Sequence, residues 1–262
     1  MSDESEKVNS GILHGKVAVV TGAGSGIGRA IAHLFADKGC TVMVVDVISE
    51  RVDQVVGEIR AAGRNASGLV IDLSVGTDVD RMIDSTLSSL GRIDILCNNA
   101  GIMDGVRPVA DMPDEVWERV LAINLNAPFR ACRKLIPIMI EHCGGVILNT
   151  ASIAGIFGAR AGVAYTVSKH GLIGLTKSIA TSYGAKGIRC NALVLGAVQT
   201  AIGIGSATPN SLGMENLNKT IATLPRTGDP IEVARLALFL VSNDSSYLNG
   251  SCVVADAGWT AF

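Results

Sequence analysis

The 262-residue chain is poor in charge, and what charge it has is dispersed. Asp, Glu, Lys and Arg make up only 18% of it, the net charge is −2, and there is no Lys/Arg run. A chain without a basic face offers nothing to a phosphate backbone, so nucleic acid is excluded as a partner. No apolar stretch approaches the roughly 18 residues that span a bilayer, which excludes a membrane partner. Met1-Ser2-Asp3-Glu4-Ser5-Glu6 is acidic and lacks the apolar region of a secretory signal. Residues 1–12 read as a disordered leader, and the protein as cytoplasmic. The six cysteines (40, 97, 132, 143, 190, 252) show no C-x-x-C spacing and lie mostly in apolar runs. That pattern fits packing thiols in a reducing compartment, not disulfides or zinc. The four histidines form no H-x-x-x-H pair, so no metal is expected. An internal repeat and a Ser/Pro-rich linker are also missing, leaving one domain over 13–262.

Hydrophobic residues, by contrast, reach 48%, and there are 30 glycines without a collagen-like period. Short β-branched runs alternate with helix-period segments. Val17–Val20 precedes a helix over Ile27–Lys38, Thr41–Val45 precedes Arg51–Ala62, and Gly68–Ile71 precedes Val79–Leu90. Ile93–Cys97 leads into a long helical stretch from Asp114 to Ile140, and Gly145–Leu148 into one from Val163 to Tyr183. Ile188–Val194, a helix over Ile231–Val241 and a last strand at Ser251–Val254 complete the order. Such βαβ alternation with strands apolar on both faces predicts an α/β fold, a doubly wound parallel sheet of about seven strands with helices on both faces. Residues 200–224 break the pattern with glycines, Pro209 and asparagines, and read as an irregular substrate lid after the sixth strand.

Thr21-Gly22-Ala23-Gly24-Ser25-Gly26-Ile27-Gly28 joins the first strand to the first helix. A glycine turn there supplies backbone N–H groups and a positive helix end to a pyrophosphate, through Gly22, Ser25, Gly26, Ile27 and Gly28. Asp46 closes the second strand, where a carboxylate accepts both ribose hydroxyls of an adenosine and repels a 2′-phosphate. With no Arg in the turn or after Asp46 until Arg51, NAD is favoured over NADP. Asp72, followed by Leu73, ends the third strand and either bonds an adenine or caps a turn. Asn98-Asn99-Ala100-Gly101 after the fourth strand either braces the sheet or lines the ligand. Tyr165 and Lys169, at i and i+4, share one helix face, so an ammonium stands beside a phenol that alone is too weak an acid to exchange protons near neutrality.

These motifs, in this order over nearly the whole chain, resemble the short-chain dehydrogenase/reductase family. The resemblance covers the opening strand Leu13–Gly22, Asn98–Gly101, the segment Asn191–Thr200, and Pro225-Arg226-Thr227-Gly228-Asp229-Pro230-Ile231-Glu232. It implies a Rossmann-like fold and reversible hydride transfer between NAD and a carbinol carbon. Asn124, Ser152, Tyr165 and Lys169 fall where the family carries its catalytic tetrad. Tyr165 is then the proton-exchanging group, Lys169 holds the nicotinamide ribose, Ser152 orients the substrate oxygen and Asn124 anchors a relay water. Leu73, Asn99, Ala100, Gly101, Val198 and Thr200 would line the cofactor, and Ser152, Ala154, Phe157 and Tyr165 the substrate. Leu195-Gly196 stands where the family usually has Pro-Gly, and Asp256-Ala257-Gly258 where Asp-Gly-Gly is more usual. A neutral secondary alcohol, cyclic, a polyol or a sugar, is the expected small-molecule substrate. The alternatives are a 3-oxoacyl thioester reduced with NADPH and a catalytically idle NAD-binding scaffold. Family members commonly form tetramers through the helices near 114–140 and 163–184, and the low charge content agrees with buried interfaces.

Overall fold

The computed structural model describes residues 11–203 and 208–261. Of the expected leader, residues 1–10 lie outside the described residues, while the Gly11 carbonyl already closes a turn onto the His14 N–H. Seven strands run parallel in one sheet: β1 (Val17–Thr21), β2 (Thr41–Asp46), β3 (Ala66–Val70), β4 (Ile95–Asn98), β5 (Gly145–Ser152), β6 (Ile188–Leu195) and β7 (Cys252–Ala255). Their order is β3-β2-β1-β4-β5-β6-β7. The central strands are buried on both faces, which is why they read as unbroken apolar runs. Only the edges depart from this, with Val70 on β3 and Val254 on β7 exposed.

The described residues also form eight α-helices: α1 (Gly26–Asp37), α2 (Ser49–Ala61), α3 (Gly76–Leu90), α4 (Asp114–Leu121), α5 (Ala127–Glu141), α6 (Val163–Tyr183), α7 (Ser211–Ile221) and α8 (Pro230–Val241). One core joins α1, α2 and α8 to the sheet around Ile31, Phe35, Ile59 and Leu240. The other joins α3, α5 and the end of α6 around Met82, Leu135, Met139 and Ile179. The chain reverses direction between β1 and β4, so connections diverge there and open a cleft at the carboxyl ends of the strands.

Three departures from the expected elements shape that cleft. The stretch from Asp114 to Ile140 is not one helix; a π-helical turn over Ala122–Asn126 separates α4 from α5. Pro128 lacks the N–H that would bond the Asn124 carbonyl, and the widened turn carries Asn124 into the interior, 1% exposed. Strand β5 runs four residues past Leu148, because Asn149 and Thr150 are buried and hydrogen-bonded in place of ending the strand. Ser152 thereby stands at the carboxyl end of a central strand. Finally, the segment expected to be irregular contains α7, although Gly213, Asn216 and Asn218 are weak helix formers. Asn210 caps it by accepting the Gly213 N–H at 3.0 Å, and Glu215 pairs with Lys219 across one turn. Gly213, a loop signal in the sequence, is there for contact: any Cβ would collide with the Val106 carbonyl.

At the tail, Ala257 adopts φ +57°, a left-handed angle that a Cβ disfavours by about 1 kcal/mol. Ala257→Gly is therefore expected to raise stability by about 0.5–1 kcal/mol with unchanged activity, read as a higher denaturant midpoint at constant slope.

Candidate active site

The glycine turn between β1 and α1 is built for close backbone approach. Gly22 and Gly26 have φ of +63° and +52°. A Cβ on Gly22 would lie 2.9 Å from the Ala100 Cα, and one on Gly28 would strike the Gly22 carbonyl. Helix α1 begins at the N-cap Ser25 with no side-chain cap and no acid in its first turn. Its first N–H groups therefore face the cleft with their positive dipole end uncompensated, which suits a pyrophosphate. Thr200 closes the far side, its Cγ2 only 3.0 Å from where a Gly26 Cβ would be. Val198 bridges to Gly228 behind it. Leu195, in place of proline, continues β6 in register between Ser152 and Ala255.

At the adenosine end, one Asp46 oxygen accepts the Gly24 N–H at 3.0 Å and the other the Ile48 N–H at 3.2 Å. Arg51, in the first turn of α2, also comes to this corner: its Cβ lies 2.7 Å from the place of a Gly24 Cβ. Asp72 spends one oxygen on the Ser74 N–H and hydroxyl, at 2.9 and 2.7 Å, and these bonds hold its carboxyl below the usual range. Leu73 beside it is half-buried and packs against the core of α3 and α5. Asn99 braces the sheet, donating to the Thr21 carbonyl at 3.0 Å and accepting from the Thr150 hydroxyl at 3.3 Å. The side chain of Asn99 is thereby committed to the fold, as are the backbone N–H groups of the Asn99–Ala100 loop. The Thr21 hydroxyl anchors that loop, accepting the Asn99 and Ala100 N–H groups and donating to the Cys97 carbonyl.

The four tetrad positions converge on the same cleft. Helix α6 is seated by a buried polar chain in which Asn98 donates to Asn149, and Asn149 to Thr176. On its inner face Lys169, 3% exposed, donates to the Thr150 carbonyl at 2.8 Å and lies 5.3 Å from the centre of the Tyr165 ring. Asn124 clamps Ile102 through both its N–H and its carbonyl and donates to the Ser168 hydroxyl at 3.2 Å. Gly101 keeps open the space between them, since a Cβ there would fall 3.4 Å from Asn124 Oδ1 and 3.5 Å from Lys169 Nζ. The Ser152 hydroxyl accepts the Ala154 N–H at 3.1 Å and lies beside the Tyr165 phenol.

Burial dominates the electrostatics of the pair. Burial pushes the phenol up to about 12, against the pull of the Ser152 hydroxyl and with a further push from the charge of Asp104. Burial likewise draws Lys169 down to about 8. The protein alone thus holds Tyr165 neutral. Bringing it to act near pH 7 requires about 7 kcal/mol of phenolate stabilisation, nearly twice what a free phenol needs.

Of the expected substrate-lining residues, Phe157 is 42% exposed, whereas Ala154 is fully buried and donates its backbone N–H to Ser152. Three contributors escaped the sequence reading: Thr21, Thr150 and Asp104, whose partners lie far away along the chain. Among the described residues no group of three His, Cys, Asp or Glu could hold a metal, and no helix is long and apolar enough to cross a membrane.

A family model described as enoyl-(acyl carrier protein) reductase matches residues 22–260. The chain is 39% identical to 3beta-hydroxysteroid dehydrogenase 2 of Eggerthella lenta, over 98% of this chain and 100% of that protein. It is 37% identical to the cyclohexanol dehydrogenase of an Acinetobacter species, over 98% and 99%. A solved short-chain type dehydrogenase/reductase from Mycobacterium marinum superposes with a TM-score of 0.85 at 32% identity, over 95% and 97%. Sheet order, glycine cradle and these likenesses agree, and the chain belongs to the short-chain dehydrogenase/reductase family of nicotinamide-dependent oxidoreductases.

Proposed function

We propose that the protein is an NAD-dependent dehydrogenase of a neutral, cyclic secondary alcohol, with polyols and sugars as the nearest further substrates. The observation that carries this is the convergence of Ser152, Tyr165, Lys169 and Asn124 beside a glycine cradle at the carboxyl ends of β1, β4 and β5. Ser152 holds the carbinol oxygen, and Tyr165 takes its proton. Lys169 binds the nicotinamide ribose, and the Asn124 turn keeps space for a water that carries that proton away. The bound oxidised nicotinamide supplies the hydride-accepting carbon and the positive charge that the buried phenol lacks. The alcohols for which the two relatives are named, a 3beta-hydroxysteroid and cyclohexanol, are both secondary alcohols on rings and support this choice.

Asp46 supports NAD. Its free lone pairs accept ribose hydroxyls, and its charge opposes a 2′-phosphate and with it the NADPH-linked thioester reduction. The exposed apolar groove between α5 and α6, lined by Phe129, Ile136, Ile140, Leu175 and Tyr183, supports assembly as a homotetramer. Gly171 packs on Leu125 of its own chain, but Gly174 faces open space, where a partner helix fits. Cys40, Cys97, Cys132 and Cys190 are free and buried, in keeping with a reducing cytoplasm.

The test is formation of NADH or NADPH across a panel of cyclic alcohols, polyols, sugars and hydroxy acids. Cyclic alcohols with NAD are expected to give the highest kcat/KM. Asp46→Ala is expected to cut the preference for NAD over NADP by about ten- to a hundredfold, the worth of one or two charge-assisted bonds. A wild-type preference for NADP would overturn the cofactor reading. Cofactor binding without turnover of any panel member would leave the idle scaffold.

A further inference from the structure

We propose that Asp104 is a positioning residue for this site, fixing the N-terminal turn of α6, and with it Tyr165, from a loop that also carries the lid helix α7. The proposal rests on the dehydrogenase reading above.

Asp104 is fully buried, and no cation lies within salt-bridge distance of it among the described residues. Its partners are three backbone donors. One oxygen accepts the Val106 N–H at 3.1 Å and the Gly162 N–H at 3.2 Å, and the other accepts the Tyr165 N–H at 2.9 Å. Helix α6 has no cap of its own: Gly162 stands at the cap, no acid occupies the first turn, and the orphan donors are met by a carboxylate from another segment. Gly162 is required for this, because a Cβ there would collide with Asp104 Oδ1 and lie 2.5 Å from the Arg107 nitrogen. A neutral Ser or Thr at position 162 would cap the helix without burying a charge. The remote cap does more than satisfy donors: it ties the turn that bears Tyr165 to the loop after β4.

That loop is also the seat of the lid. Asn210 donates its N–H to the Gly105 carbonyl at 3.1 Å and its side chain to Asp111 at 2.8 Å. Arg107 donates to the Thr208 carbonyl at 3.1 Å, and its own carbonyl accepts the Val163 N–H of α6 at 2.9 Å. Residues 104–111 thus hold α6 on one side and α7 on the other.

Asp104 also acts on Tyr165 through charge. The groups facing the phenol are Ser152 from β5, Lys169 one turn along α6, and Asp104 from the loop. Lys169 donates to the Thr150 carbonyl and the terminal nitrogens of Arg107 to the Asp111 and Thr208 carbonyls, so neither pairs directly with the Asp104 carboxylate. A negative charge near the phenol opposes phenolate, and removing it shifts the phenol's titration to lower pH. Asp104→Asn keeps the shape, loses the charge and turns an amide N–H₂ towards one of the donors.

The experiment uses the full-length protein, NAD and the fastest alcohol of the panel. For Asp104→Asn, NADH affinity is expected within about twofold of wild type and kcat lower by about tenfold or more. The rising limb of the kcat–pH profile is expected to move to lower pH by at least about half a unit. Amide exchange over residues 162–169 is expected to speed up, a readout that does not need turnover. Asp104→Glu, which keeps the charge but displaces it, is expected to lose kcat with the limb unmoved. An unmoved limb in Asp104→Asn, or unchanged exchange over 162–169, would overturn the proposal. If Asp104→Asn does not fold, Asp104→Glu decides: wild-type kcat and exchange would overturn it. Full activity of Tyr165→Phe would instead strike the dehydrogenase reading and leave the capping role standing on exchange alone.

Discussion

Tyr165→Phe is expected to lower kcat by about a thousandfold or more while cofactor affinity and thermal stability stay close to wild type. General acid–base groups contribute roughly 10²–10⁴ in rate, and here no neighbour can take over. Ser152 is bound to the Ala154 N–H, Lys169 to the Thr150 carbonyl and Asn124 to Ile102, so each is committed to another contact. The phenol oxygen is not itself required to hold the fold, since the Tyr165 backbone, not its side chain, meets Asp104. Rates of NADH formation together with NADH binding by fluorescence check both halves of the expectation. Turnover within tenfold of wild type would remove Tyr165 from the chemistry.

Lys169→Met should separate function from stability even more sharply. Activity is expected to fall by about a thousandfold, because ribose positioning and the positive charge beside the phenol go together. Stability at pH 7 is expected to rise. Burial holds Lys169 at about 8, below its ordinary 10.5, so the unfolded chain binds the proton more tightly than the folded one. The stability contribution is present in full only above about 10.5 and is lost as pH falls through about 8. At neutral pH this costs the native state about 3 kcal/mol. Methionine fills similar volume without charge, and losing the bond to Thr150 takes back about 1–2 kcal/mol, leaving a net gain of about 1–2 kcal/mol. Denaturant titrations at pH 7 and pH 10 test the linkage: the gain should shrink at the higher pH. A variant less stable than wild type at pH 7 would contradict a burial penalty at Lys169.

The α/β architecture was legible because parallel strands buried on two faces leave runs such as Val17–Val20 and Thr41–Val45 that little else produces. Legibility failed where a polar residue is buried with a partner or a weak helix former is held by tertiary contact. Asn149 and Thr150 look like a strand end yet lie inside β5, bonded to Thr176 and Asn99. Gly213 looks like a loop yet lies in α7, pressed on Val106. Asn124 was legible as a site residue, but the π turn that brings it inward depends on the missing Pro128 N–H acting inside a packed helix pair. Asp104 had no local signal at all, since its partners Gly162 and Tyr165 lie 58 and 61 residues further on.

By itself the sequence determined the parallel sheet, the glycine cradle and the placing of Tyr165 and Lys169 on one helix face, because periodicity and short-range spacing act within a few residues. Only the tertiary structure decided how burial weakens that phenol as an acid, which carboxylate caps its helix and which loop the start of α7 docks on. Those depend on burial and on hydrogen bonds between distant segments, which no local pattern encodes.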